Sequence, residues 1–289
     1  MINKKIKCVV IGGNGFIGYH VAKQLELLGC YTKVIDLSSN ANIKNLVVCD
    51  IKDYNKLKKE LRGFDYVFNF AGIADIGEAN KYPLKTINEN IIGSSNIFEI
   101  CAELKIKRVF FASTIYVYSK AGGFYKASKQ ALENILETYN LNYNLKFTIL
   151  RYGSVYGLNA QPWNGINKYI NAALKSQKIV CNGNGEEIRE YINVIDAAKL
   201  TVSTLSKKFE NSYVTISGIN SIKTKDLFVM LEEILQKKIT IKYQKSKRTN
   251  EHYLTTPYNF IPKKSVKIVP KEYIDLGEGL LEIISNYKK

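Results

Sequence analysis

The stretch IKCVVIGGNGFIGYHVAKQLELLGCYTKVID, residues 6–36, decides how the chain folds. It opens with the continuous apolar run IKCVVI, the pattern of a strand buried on both faces. A glycine-rich turn follows at once, then an amphipathic stretch to about Leu28. A second strand-like run, YTKVID (31–36), ends in a carboxylate. Working outward, NLVVCD (45–50), DYVFNFAG (65–72), KRVFFAST (107–114) and KFTILRYGSVYG (146–157) read as further strands. Helical patterns cover about 84–104 and 125–140. Strands alternating with helical crossovers predict an α/β fold of Rossmann type, a doubly wound parallel sheet covered on both faces. Beyond residue 157 the rhythm loosens and strands become sparser. The expectation is a dinucleotide-binding domain over 1–157, with segments such as about 188–200 returning to it. A smaller, mainly substrate-binding C-terminal domain is expected over 158–289.

Composition narrows the classes. The chain has 289 residues, 46% of them apolar and 24% charged, which suits a globular protein and excludes a disordered or fibrous one. No apolar run reaches the ~20 residues of a spanning helix. Glycines cut short the apolar stretch that follows the basic opening, so a secretory leader is not expected. Five cysteines, none in a CxxC pair, point to a reducing, cytoplasmic setting rather than to a disulfide framework or a zinc ribbon. With two histidines, His20 and His252, the chain offers little for a histidine-based metal site or triad. The net charge is +16, and residues 237–271 hold ten basic residues against one acid, Glu251. That surplus reads as a solvated lysine face or as a field attracting anions such as nucleotide phosphates. No nucleic-acid-binding motif accompanies it.

Within the glycine turn, Gly12 permits the tight bend, Gly15 lets the backbone approach a pyrophosphate, and Gly18 lets the helix pack close to the sheet. Phe16 and Ile17 stand with them where the helix opens, and unpaired N–H groups there face the phosphates. Asp36, 18 residues beyond Gly18, is placed to accept both ribose hydroxyls and to repel a 2′-phosphate, which favours NAD over NADP. Asp50 and Ile51, after the third strand, are placed to contact adenine; that carboxylate equally suits a helix cap.

Tyr125 and Lys129 stand at i and i+4 in YKASK, on one helical face. A phenol is a poor base at neutral pH, and a nearby ammonium favours its phenolate. Tyr125 could then take a proton from a sugar hydroxyl as hydride leaves the same carbon. Thr114 or its neighbour Ser113, at the end of FFAST, offers a hydroxyl at the carboxyl edge of the sheet, where ligands of such folds bind.

GGNGFIG (12–18), Asp36, NFAG (69–72), ASTIYVY (112–118), YKASK (125–129), LRYGSVYG (150–157) and NGNGEEIREYINVIDAA (182–198), in that order, resemble the extended short-chain dehydrogenase/reductases. These are the NAD-dependent sugar-nucleotide epimerases and dehydratases. The resemblance implies Thr114 rather than Ser113 as the substrate hydroxyl, Tyr125 as base, and Lys129 on the nicotinamide ribose. Phe70, Ala71 and Gly72 would line the cofactor, Asn90 would support the site, and Tyr152 would flank the nicotinamide. Arg189, and by a looser match Arg248, would grip the diphosphate of a UDP- or GDP-linked sugar. Ser154 replaces the asparagine usual at a substrate contact.

Two further departures matter. Only six residues separate Tyr118 from Tyr125 where the family has a longer loop, which predicts a wider or differently shaped sugar pocket. Thr114 is followed by Ile115-Tyr116, not by the acidic pair of 4,6-dehydratases, so water elimination is not expected. The resemblance therefore implies a sugar-nucleotide 4-epimerase or, alternatively, a 4-dehydrogenase releasing the keto sugar. A non-catalytic dinucleotide-binding protein is the third reading. The family further implies a homodimer formed through the helices at about 84–104 and 125–140, and bacterial surface-polysaccharide biosynthesis.

Overall fold

The computed structural model describes residues 6–244, 252–258 and 265–287. β1 (Lys7–Ile11) turns into α1 (Phe16–Leu27), followed by β2 (Tyr31–Asp36) and β3 (Leu46–Val48). α2 (Tyr54–Leu61) leads to β4 (Tyr66–Asn69). Next come α3 (Ile76–Lys81), α4 (Pro83–Thr86), a π-helical turn at Ile87–Ile92, and α5 (Gly93–Glu103). β5 (Arg108–Thr114) ends in a 3-10 turn at Ile115–Tyr118, and α6 (Gly123–Tyr143) returns the chain to β6 (Phe147–Tyr152) and β7 (Ser154–Tyr156). The remainder is α7 (Gly165–Ser176), β8 (Lys178–Asn182), β9 (Ile188–Asn193), α8 (Val194–Ser203), β10 (Ser212–Ile216), β11 (Ser221–Lys223), α9 (Thr224–Leu235), β12 (Thr240–Gln244), β13 (Ser265–Ile268) and α10 (Leu276–Tyr287).

Eight strands form one sheet in the order β13-β10-β6-β5-β4-β1-β2-β3, and every pair in it is parallel. The chain winds outward from β1 in both directions, so the order reverses between β1 and β4. The crevice at that switch point, beyond the carboxyl ends of the strands, is where such sheets take ligands. The apolar runs are continuous because each strand feeds two cores. Cys8, Val10, Val34, Phe68, Phe110 and Leu150 pack under α1 and α8. Val9, Ile11, Ile35, Val67, Val109 and Phe111 pack under α2, α5 and α6. A third core, built by α7, β8, α9 and α10, includes Ile170, Ile179, Phe228, Leu231 and Ile283. β7, β9 and β11 form a small separate sheet, and β8 pairs with β12. All five cysteines are free and buried. No helix among the described residues is long and apolar enough to cross a membrane.

Some local expectations change. The second half is richer in strands than its sequence rhythm implies, because those strands are short and only two of them join the main sheet. The helix expected over 84–104 is interrupted by the π-helical turn. That wider turn faces Asn90 and Ser94 into the protein, where both are buried, and closes Gly93 onto Ile51 so tightly that a Cβ would lie 2.3 Å from its Cδ1. The strand expected over 65–72 stops at Asn69, since Phe70–Gly72 bend over the glycine turn.

Candidate active site

The turn after β1 is shaped by backbone contact. Gly12 has φ +76°, and a Cβ there would lie 2.7 Å from the Ala71 nitrogen and the Phe70 carbonyl carbon. Both are main-chain atoms and cannot step aside. A Cβ on Gly18 would lie 2.3 Å from the Gly12 oxygen. On Gly15 it would meet only that same oxygen, at 3.1 Å, so the other side of this residue is open. No side chain caps Gly15 at the start of α1, and the first turn, with Phe16 and Ile17, carries no acid. An uncapped helix end over a smooth glycine surface has room and donors for a diphosphate. Asp36 ends β2 beside it. Its carboxylate accepts the Asn14 N–H at 3.0 Å and the Ser38 N–H at 3.3 Å. This set fits a dinucleotide: phosphates at the helix end and a ribose at the carboxylate.

Phe70, Ala71 and Gly72 line the same turn from β4, with Phe70 N–H bonded to the Ile11 carbonyl at 2.8 Å. Gly72 has φ +127° and faces the Asn90 side chain. Asn90 accepts the Ile73 N–H at 2.6 Å and donates to the Ser128 hydroxyl at 2.9 Å, which ties the turn to α6. Asp50 caps no helix: Asp53 is the residue that caps α2, and Asp50 accepts the Lys52 N–H at 2.9 Å. Ile51 is buried under Gly93. Tyr152 is buried in β6, its ring 6.1 Å from Phe70 and its hydroxyl bonded to Thr201 of α8.

At the carboxyl end of β5 the two hydroxyls separate. Ser113 points to α6 and donates to Glu133 at 2.6 Å. Thr114 accepts the Tyr116 N–H at 3.3 Å, and its hydroxyl is close enough to the Tyr125 phenol to act on its ionisation. Tyr125 and Lys129 face the sheet from consecutive turns of α6, with the Lys129 ammonium 5.9 Å from the Tyr125 ring centre. That ammonium donates to the Ala112 carbonyl at 2.7 Å. Burial dominates both ionisations. It pushes the Tyr125 phenol up to about 12, opposed by the nearby Thr114 hydroxyl. It lowers Lys129 to about 8, opposed by the Glu133 carboxylate. In the protein alone Tyr125 is therefore a neutral phenol, and the ammonium does not by itself make it a base.

The space beside Tyr125 is lined by aromatic rings that sequence reading overlooked. Tyr116 stands edge-on to Tyr125, with ring centres 6.4 Å apart. Its hydroxyl meets His252 Nδ1 at 2.6 Å. Tyr253 is buried against Tyr116 at 4.7 Å between centres, and its hydroxyl lies 3.3 Å from that of Ser154. The Arg189 guanidinium covers the Tyr253 ring at 4.2 Å and donates to the carbonyls of Ile188 and Leu254. Ser154 and Arg189 are thus brought together by a residue from a distant segment. The only available signal was the cluster of aromatic and hydroxyl residues in HYLTTPY (252–258). Arg248 lies outside the described residues. Among the described residues no cluster of His, Cys, Asp and Glu could hold a metal ion.

The chain is similar to several known proteins. Residues 8–216 match the model of the NAD dependent epimerase/dehydratase family. A putative UDP-glucose 4-epimerase of Methanocaldococcus jannaschii is 25% identical over 301 residues, covering 96% of this chain and 97% of its own. A UDP-N-acetyl-alpha-D-glucosaminuronate decarboxylase of Bacillus cytotoxicus is 27% identical over 243 residues, covering 74% and 75%. Among solved structures, a UDP-N-acetylglucosamine 4-epimerase of Methanobrevibacter ruminantium, in complex with UDP-N-acetylmuramic acid, superposes with a TM-score of 0.84. It is 28% identical and the match covers 99% of each chain.

Proposed function

We propose that this chain, which belongs to the NAD dependent epimerase/dehydratase family, is an NAD-dependent sugar-nucleotide 4-epimerase. The observation that carries the reading is the meeting of Thr114, at the end of β5, with Tyr125 on α6 and Lys129 one turn away, at the ligand-binding edge beside an open glycine turn. In this reading Gly12, Gly15, Phe16, Ile17 and Gly18 hold the NAD diphosphate, Asp36 its adenosine ribose, and Asp50 and Ile51 its adenine. Phe70, Ala71, Gly72 and Tyr152 wall the nicotinamide side. NAD, when bound, supplies a hydride acceptor and a positive ring charge. Thr114 holds the sugar 4-hydroxyl against Tyr125, and Tyr125 takes its proton. Lys129 holds the nicotinamide ribose and stabilises the phenolate. Arg189 and Ser154 hold the nucleotide-sugar, with Arg248 as a further phosphate ligand. With NAD bound there, a hydride would return to the opposite face of C4 and Tyr125 would give the proton back to O4, which would complete the inversion.

Leu141 and Tyr143 are exposed at the far end of α6, and Ile92 is exposed just before α5. They support the homodimer in our proposal. A reducing cytoplasm and a place in surface-polysaccharide biosynthesis complete it. The test is incubation of purified protein with a panel of UDP- and GDP-sugars, read by NMR and by absorbance at the NADH band. Appearance of the 4-epimer without net NADH is the expected result. A 4-keto sugar accumulating with NADH would make the protein a 4-dehydrogenase, and no change with any substrate would refute the reading.

A further inference from the structure

We propose that Glu133 is a positioning residue for the active site: its carboxylate, pinned by Arg151 and Ser113, fixes the face of α6 that carries Tyr125 and Lys129 and sets a negative charge one helical turn from the Lys129 ammonium. The inference rests on the catalytic reading given above, in that it assigns a role within the same site.

The geometry is that of a buried knot. Glu133 and Arg151 have side chains 2% and 1% exposed. Arg151 Nε donates to one carboxylate oxygen at 2.9 Å and Nη2 to the other at 2.6 Å. The first oxygen also accepts Ser113 Oγ at 2.6 Å. Arg151 donates in addition to the Tyr118 hydroxyl and lies over the Tyr213 ring, 4.3 Å from its centre. Ser113 and Arg151 are paired in register across β5 and β6, one step before Thr114 and Tyr152. The carboxylate therefore ties α6 to both strands one residue short of the point where the Thr114 hydroxyl must meet Tyr125. A buried ion pair costs much of its attraction in desolvation, so stability alone is a weak reason for one in this place.

Glu133 is also one helical turn beyond Lys129 and on the same face. The groups around the Lys129 ammonium are the Tyr125 and Phe111 rings, the Ala112 carbonyl and this carboxylate. Beyond that set, Arg151 is bonded to Glu133 and Tyr118 to Arg151, while Asn90 is bonded to Ser128 of α6. Glu133 is the one ionised acid in that set, and its field is what opposes the loss of the lysine proton in a buried place.

The test avoids dependence on substrate. Protein labelled with ¹³C at lysine Cε is titrated by NMR, and the Lys129 signal is assigned by its loss in Lys129→Met. In the wild type it titrates near pH 8, well below the exposed lysines. Glu133→Gln leaves Arg151 unpaired, so the deciding variant is the neutral double replacement Glu133→Gln/Arg151→Met. The expected result is a folded protein whose Lys129 signal titrates about one pH unit lower, with the alkaline limb of turnover moved by the same amount. An unmoved Lys129 titration overturns the assignment. So does a double variant that does not fold, which would make the knot a structural strut. Failure of the wild type to turn over any sugar nucleotide bears on the proposed function and leaves the NMR result to judge Glu133.

Discussion

Replacing Lys129 by methionine should make the protein more stable at pH 7 while abolishing turnover. Lys129 is 5% exposed, and burial brings it from the ordinary 10.5 down to about 8. At 1.36 kcal/mol per pH unit, holding that ammonium in the folded state costs about 3 kcal/mol relative to the unfolded chain. The sign follows from proton binding. Below pH 8 both states hold the proton and the penalty is fully present. Between about 8 and 10.5 the unfolded chain holds more protons than the folded one, so stability rises with pH and the penalty disappears. Methionine has a similar stem and no charge, but it gives up the 2.7 Å bond to the Ala112 carbonyl, which returns about 1 kcal/mol. The net gain at pH 7 is about 2 kcal/mol. Urea denaturation of both proteins at pH 7 and at pH 10.5, at equal ionic strength, measures it. The reasoning is refuted if the difference between variant and wild type stays the same at the two pH values, or if methionine destabilises at pH 7.

Other outcomes follow from the same geometry. Tyr125→Phe should keep the fold and lower kcat by about 10³-fold, the scale of a lost acid–base group, checked by steady-state kinetics beside a far-UV spectrum. Thr114→Val removes the hydroxyl nearest Tyr125 on β5 and should cost turnover, whereas Ser113→Ala should lower kcat only a few-fold, because both Glu133 oxygens stay held by Arg151 when the Ser113 bond is lost. Gly12→Ala forces a Cβ onto the backbone of Phe70 and Ala71 at φ +76°; calorimetric titration with NAD should show binding lost, with a lowered Tm. Arg189→Met should raise KM for the sugar nucleotide far more than it changes kcat, and equal loss in both would remove Arg189 from the diphosphate site.

The sheet could be read from sequence because its physics is local and periodic. A strand covered on both faces has to be largely apolar, and β1, β4, β5 and β6 are, apart from polar residues such as Ser113 and Arg151 that find buried partners. The glycine turn was readable for the same reason, since its glycines answer to contacts within a few residues or with the next strand. Thr114, Tyr125 and Lys129 share one helix face and one strand end, and spacing alone carries that much. What spacing could not carry was which ionisation prevails. The sequence pairs a phenol with an ammonium, but burial outweighs their attraction and leaves Tyr125 neutral until further positive charge arrives. Nor could it place Tyr253 between Ser154 and Arg189, because the contact joins residues about 65 and 99 positions apart. The interruption of the helix before α5 was hidden because Thr86 and Gly93 keep helical dihedrals on either side of the wide turn.

The five buried thiols have a practical consequence. Burial raises Cys8, Cys49, Cys101 and Cys181 above the ordinary range, so the reactive anion is scarce as well as shielded. An alkylating dye added to the native protein should react slowly, at the pace of transient opening, and each modified site would mark which core had come apart. Cys8 would report on the layer under the first helix, Cys101 on the opposite layer, and Cys181 on the third cluster. Mass spectrometry of peptides after timed exposure would then rank the three by how often each exposes its interior, without an engineered label.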